Sequence, residues 1–305
     1  MKRFAPILAV VTAGVLWGII SLFIRHLSAA GLDALQITWI RLAVAAPLFT
    51  LAVAALRREA LRIRPRDLWM FVGTGIISIV LFNVCYFYTM VQAQASVAVV
   101  LLYTSPVFIM LLSAILFKER VTPVKLTALV LTVAGCACVA GLSGTSGLTP
   151  LTLLTGLASG FFYGLYSIFG RFAQQRGYSS FAITLWSFIF AGGAALLFMN
   201  YGRVLPLLSR PQACLSLAGL VIVSTILPYC AYTAGLRLLP PSVAAITVAI
   251  EPVVGTLVGT LFFHEPLPLA AVGGMIFIIA AMPVSRFEGT GLSEVEHNHS
   301  EEVTE

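Results

Sequence analysis

Charge is what this chain has least of. Acidic and basic residues make up 10% of its 305 residues, against an apolar share of 59%. A soluble domain of this length needs far more polar surface to present to water, which excludes a soluble globular fold. Cysteine is sparse: Cys85, Cys136, Cys138, Cys214 and Cys230 sit in or beside apolar runs. Their spacing matches no metal site, so they read as small core residues. A glycine-rich phosphate loop ending in Lys-Ser/Thr is missing, which argues against ATP drive. So are a His-Glu-x-x-His helix and a nucleophile elbow. No cluster of catalytic groups accompanies the one acid inside an apolar run, Glu251. The chain therefore reads as no enzyme, with no cofactor and no metal. His297 and His299 read as polar spacers in an acidic tail.

What the sequence has in abundance is long apolar runs. Ten can be drawn, each near the roughly 20 residues that a bilayer core requires. They cover 6–26, 34–56, 67–90, 94–117, 124–141, 149–170, 180–200, 212–235, 242–263 and 267–286. The fold class is therefore all-α integral membrane. Lys2-Arg3 before an apolar stretch resembles a signal peptide, but the run from Pro6 to Ile24 is too long for one and reads as the first span.

The chain also repeats itself. Shifted by 146 residues, the first half lies on the second without a gap. Gly14 meets Gly160, Gly18 meets Gly164, Ser21 meets Ser167 and Arg25 meets Arg171. Tyr86 meets Tyr232, Ser96-Val97-Ala98 meets Ser242-Val243-Ala244, Pro106 meets Pro252 and Glu119 meets Glu265. Shared apolar composition does not align rare residues at one offset. The expected division is a repeat at 1–141, a linker at 142–148, a second repeat at 149–287 and a disordered acidic tail at 288–305. Five spans per repeat is odd, so the second repeat is inverted. Inverted halves are the usual architecture of secondary transporters, with the ligand between them near the midplane.

Lys and Arg set the orientation. With the N-terminus inside, the inner segments hold Lys2, Arg3, Arg57, Arg58, Arg62, Arg64, Arg66, Lys118, Arg120, Lys125, Arg171, Arg176, Arg237 and Arg286. Outer segments hold Arg25, Arg203 and Arg210. Both termini are then cytoplasmic, in a bacterial-type inner (plasma) membrane. The basic excess reads as this topology signal and not as a nucleic-acid footprint. Expected partners are a small-molecule substrate and membrane lipid, with no nucleic acid; a homodimer stays open.

Several motifs carry a family resemblance. Trp17-Gly18, Arg41, Ala-Ser-Val-Ala-Val-Val at 95–100 leading to Ser105-Pro106, and Phe117-Lys-Glu119 lie in the first half. Ser242-Val-Ala-Ala, Glu251-Pro252-Val253 and His264-Glu265-Pro266 answer them in the second. In order and spacing, up to about Phe287, the chain resembles the EamA-type ten-helix members of the drug/metabolite transporter superfamily. That resemblance implies transport of a small organic solute. Known members move amino acids, sugars, nucleotide sugars, amines and drugs, often by export or exchange.

Glu251 lies about nine residues into its span, so ~14 Å deep and close to the midplane. A carboxylate there needs a cavity or a partner, and is a candidate proton carrier. Its repeat counterpart is Ser105. Pro106 and Pro252 lack an N–H, which frees the carbonyls of Leu102 and Val248 and predicts a kinked pair of helices. Arg41, within the second span, has three readings: snorkelling outward, pairing with a carboxylate, or attracting an anionic group of the substrate. Trp17, Asn83, Tyr86, Tyr103, Tyr163, Tyr166, Tyr229 and Tyr232 are candidate pocket residues, since a buried Tyr or Trp needs a partner for its polar atom. Gly14-x-x-x-Gly18 and Gly156-x-x-x-Gly160-x-x-x-Gly164 offer flat faces for close helix approach. Together these predict a secondary transporter that exports amino acids or related metabolites by alternating access, with or without proton coupling. A drug, amine or sugar-related exporter of the same fold, or a non-transporting scaffold or sensor, remains open at this point.

Overall fold

The computed structural model describes residues 4–93, 95–141 and 148–284. Among these residues every regular element is helical and none is a strand. Nine helices are long and apolar enough to cross a bilayer, and one shorter apolar helix follows them. In chain order they are span 1 (Ala5–Ala29), span 2 (Ala34–Leu56), span 3 (Pro65–Gln92), span 4 (Ala95–Phe117) and span 5 (Pro123–Ala140). Then come span 6 (Pro150–Gln175), span 7 (Ser180–Phe198), span 8 (Pro211–Leu236), span 9 (Pro241–Phe263) and span 10 (Leu269–Val284). Lys2-Arg3, residues 142–147 of the linker, His297, His299 and the tail lie outside the described residues.

Span 6 runs past the expected end at 170. Its last turn is polar, but span 8 holds it. Arg171 donates to the carbonyls of Leu236 and Arg237 at 3.3 and 3.4 Å, and Gln174 to that of Thr233 at 2.7 Å. The helix stops only before Gly177, whose φ of 86° suits a glycine past a helix end.

Local chemistry sets the other ends. Asp33 caps span 2 through the amide of Gln36, Ser179 caps span 7 through that of Ala182, and Thr149 and Thr152 form a reciprocal capping box on span 6. Prolines open spans 5, 6, 8 and 9, where a missing N–H costs nothing. Within the spans Thr38, Thr89, Thr132 and Thr247 each donate to the carbonyl four residues earlier. That bond satisfies a hydroxyl where no water is at hand. Leu51, Leu197, Leu215 and Leu269 are strongly exposed, as lipid-facing side chains must be.

Packing follows the 146-residue shift. Span 1 packs on spans 8 and 9, and span 6 on spans 3 and 4; span 2 packs on span 7, and span 5 on span 10. Exchanging the halves reproduces this pattern. Irregularities recur as well. A π-helical stretch ends at Val80 in span 3 and at Ile226, its counterpart, in span 8. Spans 4 and 9 both break near their middles.

Candidate functional site

The two breaks define the site. Span 4 is interrupted at Tyr103 and Thr104, between Ala95–Leu102 and Ser105–Phe117. Span 9 is interrupted at Ala249, between Pro241–Val248 and Ile250–Phe263. Kinks were expected from Pro106 and Pro252. The prolines instead stand in the first turn of a new helical segment, where proline's fixed φ suits the start and its lost donor is an orphan anyway. The carbonyls of Leu102 and Val248 still end their segments, and glycines cover them. A methyl group on Gly160 would lie 3.0 Å from the Leu102 oxygen, and one on Gly14 2.9 Å from the Val248 oxygen. Gly18 meets the Glu251 carbonyl in the same way at 2.8 Å, and Gly164 the Ser105 carbonyl at 3.4 Å. Each half's first span therefore seats the broken span of the other half. The glycine spacing had suggested close approach without revealing that it crosses between repeats.

Aromatic side chains line this region. Trp17 meets the rings of Tyr229 and Tyr232 at 5.2 and 5.7 Å, and Tyr166 meets Tyr229 at 5.1 Å. Tyr232 and Tyr166 have committed hydroxyls, to Ser167 at 2.7 Å and to Thr233 at 2.9 Å. On the other side Phe82 packs edge-on to Tyr163 at 5.2 Å, and beside Tyr86. Between the breaks lies an enclosed cavity of about 10 Å³, room for about one water. Tyr103, Ser105, Pro106, Tyr163 and Tyr232 line it, together with Ile109, Ala245, Val248 and Ala249.

Glu251 does not line that cavity. It is only partly buried and interacts electrostatically with Arg41, Tyr86, Tyr103, Tyr163, Tyr229 and Cys136. Arg41 is 8% exposed, so it does not snorkel. Its Nε has no hydrogen-bond partner, and neither Arg41 nor Glu251 belongs to any of the ion pairs among the described residues. Two opposite charges thus face one region without joining. Of the expected residues, Arg41, Tyr86, Tyr103 and Tyr163 are within electrostatic reach of Glu251. Ser105, Pro106 and Tyr232 line the enclosed cavity, Trp17 buttresses Tyr232, and Pro252 is buried in its segment's first turn. Asn83 turns into its own helix and donates to the Ile79 carbonyl at 2.6 Å. Phe82, Ile109 and Ala249 were not anticipated; Ala249, one residue past the freed carbonyl, was the findable one.

Comparison with known proteins places this arrangement. The model of the EamA-like transporter family matches twice, over residues 4–141 and 150–285. Two relatives from Archaeoglobus fulgidus, each described as an uncharacterized transporter, share 29% and 27% identity. The first covers 91% of this chain and 94% of its own length, the second 90% and 95%. A crystal structure of a protein superposes with a TM-score of 0.73 at 20% identity, over 94% of this chain and 98% of that one, which shows a shared fold.

Proposed function

The chain belongs to the EamA-like transporter family and is a multi-pass membrane transporter, and on that premise we propose that it exports amino acids or closely related zwitterions by alternating access between its halves. The observation that carries this reading is the unjoined pair of Glu251 and Arg41. Charges within a membrane span are costly unless paired. A ligand bearing both an ammonium and a carboxylate supplies each with a partner at once. The ammonium meets Glu251, the carboxylate meets the guanidinium of Arg41, and the ligand's side chain lies on Tyr86, Tyr103 and Tyr163. The freed carbonyls of the breaks are covered by glycines and take no part. With the arginine-rich loops in the cytoplasm, both termini are cytoplasmic. Glu251 exchanges its bound ammonium for a proton when the cargo leaves, which couples export to a proton gradient.

The test uses purified protein in liposomes loaded with amino acids, amines lacking an acid group, and sugars, under an imposed pH gradient. Mass spectrometry identifies what leaves faster than from protein-free vesicles. Amino acids should leave selectively. Glu251→Gln and Arg41→Gln should each slow them at least about tenfold, since a charge-assisted bond contributes about 1.5–3 kcal/mol. Export of amines with Arg41→Gln fully active would replace the zwitterion by a monocation. Amino-acid flux untouched by Glu251→Gln would overturn the coupling mechanism.

A further inference from the structure

A second charged feature stands apart from the Glu251 region. The loop between spans 2 and 3 folds against the turn between spans 6 and 7, and a cavity of about 380 Å³ opens between them. Arg62, Arg64 and Arg176 line it with Tyr178 and Ser179, against one acid, Glu59. The walls are braced. The Tyr178 hydroxyl accepts from the Arg64 amide at 2.9 Å and donates to Asp67 at 2.8 Å. Arg176 donates to the other oxygen of Asp67 at 3.1 Å. Asp67 is 1% exposed and committed to these two groups. No carboxylate pairs with Arg62 or Arg64 among the described residues.

Exposed apolar residues adjoin the lining residues in sequence. Leu56, the last residue of span 2, is 79% exposed, and Phe181 in the first turn of span 7 is 42% exposed. Phe181 stacks with Phe49 of span 2 at 6.4 Å. Ala182 in the first turn of span 7 and Glu59 and Ala60 just past span 2 line the cavity, so it stands at the end of the seam between those packed spans. We propose that it seats the phosphate-bearing headgroup of an anionic phospholipid, with the acyl chains lying along that seam. Guanidinium groups bind phosphate oxygens in pairs, and basic pockets at a membrane face suit such headgroups. The cavity is larger than a bare phosphate needs, and the glycerol portion fills the rest. The assignment concerns a site distinct from the cargo region and does not depend on what the cargo is.

Native mass spectrometry of the full-length protein in detergent tests it, with phosphatidylglycerol, phosphatidylcholine and inorganic phosphate as probes. Phosphatidylglycerol should bind in preference to phosphatidylcholine. The double variant Arg62→Gln/Arg64→Gln should weaken it about fivefold per arginine, about thirtyfold in all. Arg57→Gln/Arg58→Gln, in the same loop but outside the cavity, should leave it unchanged. Equal losses in the two double variants would reduce the effect to diffuse surface charge and overturn the site. No preference over phosphatidylcholine would overturn it too, and displacement of the lipid by equimolar inorganic phosphate would make a soluble anion the ligand instead.

Discussion

Lys118 and His264 stand 146 residues apart and share one backbone conformation, φ 55° and ψ 31°. After each, the next amide, that of Glu119 or Glu265, donates to the carbonyl six residues earlier at 3.2 Å. The side chains then part ways. Glu119 is largely enclosed, accepting from Ser242 and from Lys125, the latter at 2.8 Å with side chains 12% and 9% exposed. Glu265 pairs with Arg25, both about half exposed, and Arg25 lies over the Phe263 ring at 3.8 Å. The adjoining helices follow suit. All eight residues of Pro241–Val248 are buried, whereas its counterpart Ala95–Leu102 buries only Val97 and Ala98. At these two corners the backbone keeps the symmetry of the repeat and the packing abandons it. One end of the span 4 and span 9 pair is sealed while the equivalent end is loose, and exchanging the two packings is what access from alternate sides requires. The second oxygen of Glu119 is buried there without a hydrogen-bond partner.

The largest effect comes from breaking the sealed corner. Glu119→Gln leaves Lys125, 7% exposed, without its counter-charge. Removing one member of a buried pair costs about 3 kcal/mol. Glu265→Gln, at the exposed corner, should cost less than about 1 kcal/mol. Thermal denaturation midpoints in detergent measure both. Equal shifts would mean that the two corners are not packed differently in solution.

A smaller effect sharpens the same contrast along the helices. Val99 and Ala245 are repeat counterparts; Ala245 is 2% exposed and Val99 only partly buried. With the five native cysteines replaced, Val99→Cys should react with a water-soluble thiol reagent about tenfold faster than Ala245→Cys, a difference of about 1.4 kcal/mol in local opening. A transported substrate should narrow the ratio by populating the exchanged packing. A ratio of one without substrate would remove the asymmetry.

The repeat and the ten spans were legible because each leaves a one-dimensional trace: apolar length, and rare residues at a fixed offset. Pro106 and Pro252 marked the right place in both broken spans. Whether a proline kinks one helix or begins another depends on what covers the freed carbonyl, and Gly14 and Gly160 do so from the opposite half. That contact runs across the repeat, where an offset within the sequence cannot point. Asn83 stood among the polar and aromatic pocket candidates, yet its own helix offered it the Ile79 carbonyl. Arg41 had three outcomes open to it; the surrounding spans removed the snorkelling one by enclosing it. Asymmetry between the corners was hidden for a different reason. Burial at each corner depends on which helices meet there, and neither apolar length nor a fixed offset records that.

The smallest effect tests whether the backbone turn common to the two corners is truly shared. Lys118 and His264 each hold a side chain in the left-handed region, at a cost of about 1–2 kcal/mol. Glycine removes that cost but loses about 0.5–1 kcal/mol more backbone entropy on folding. Both side chains are exposed, and no hydrogen bond or ion pair depends on them among the described residues. Lys118→Gly and His264→Gly should therefore each stabilise the protein by about 0.5–1 kcal/mol, and by the same amount, read as rises in the denaturation midpoint. Equal gains at symmetric corners favour neither packing, so the labelling ratio at positions 99 and 245 should stay put in the double variant. If one substitution gains more and the ratio moves with it, the backbone turn at that corner changes between the packings, and the asymmetry reaches deeper than the side chains.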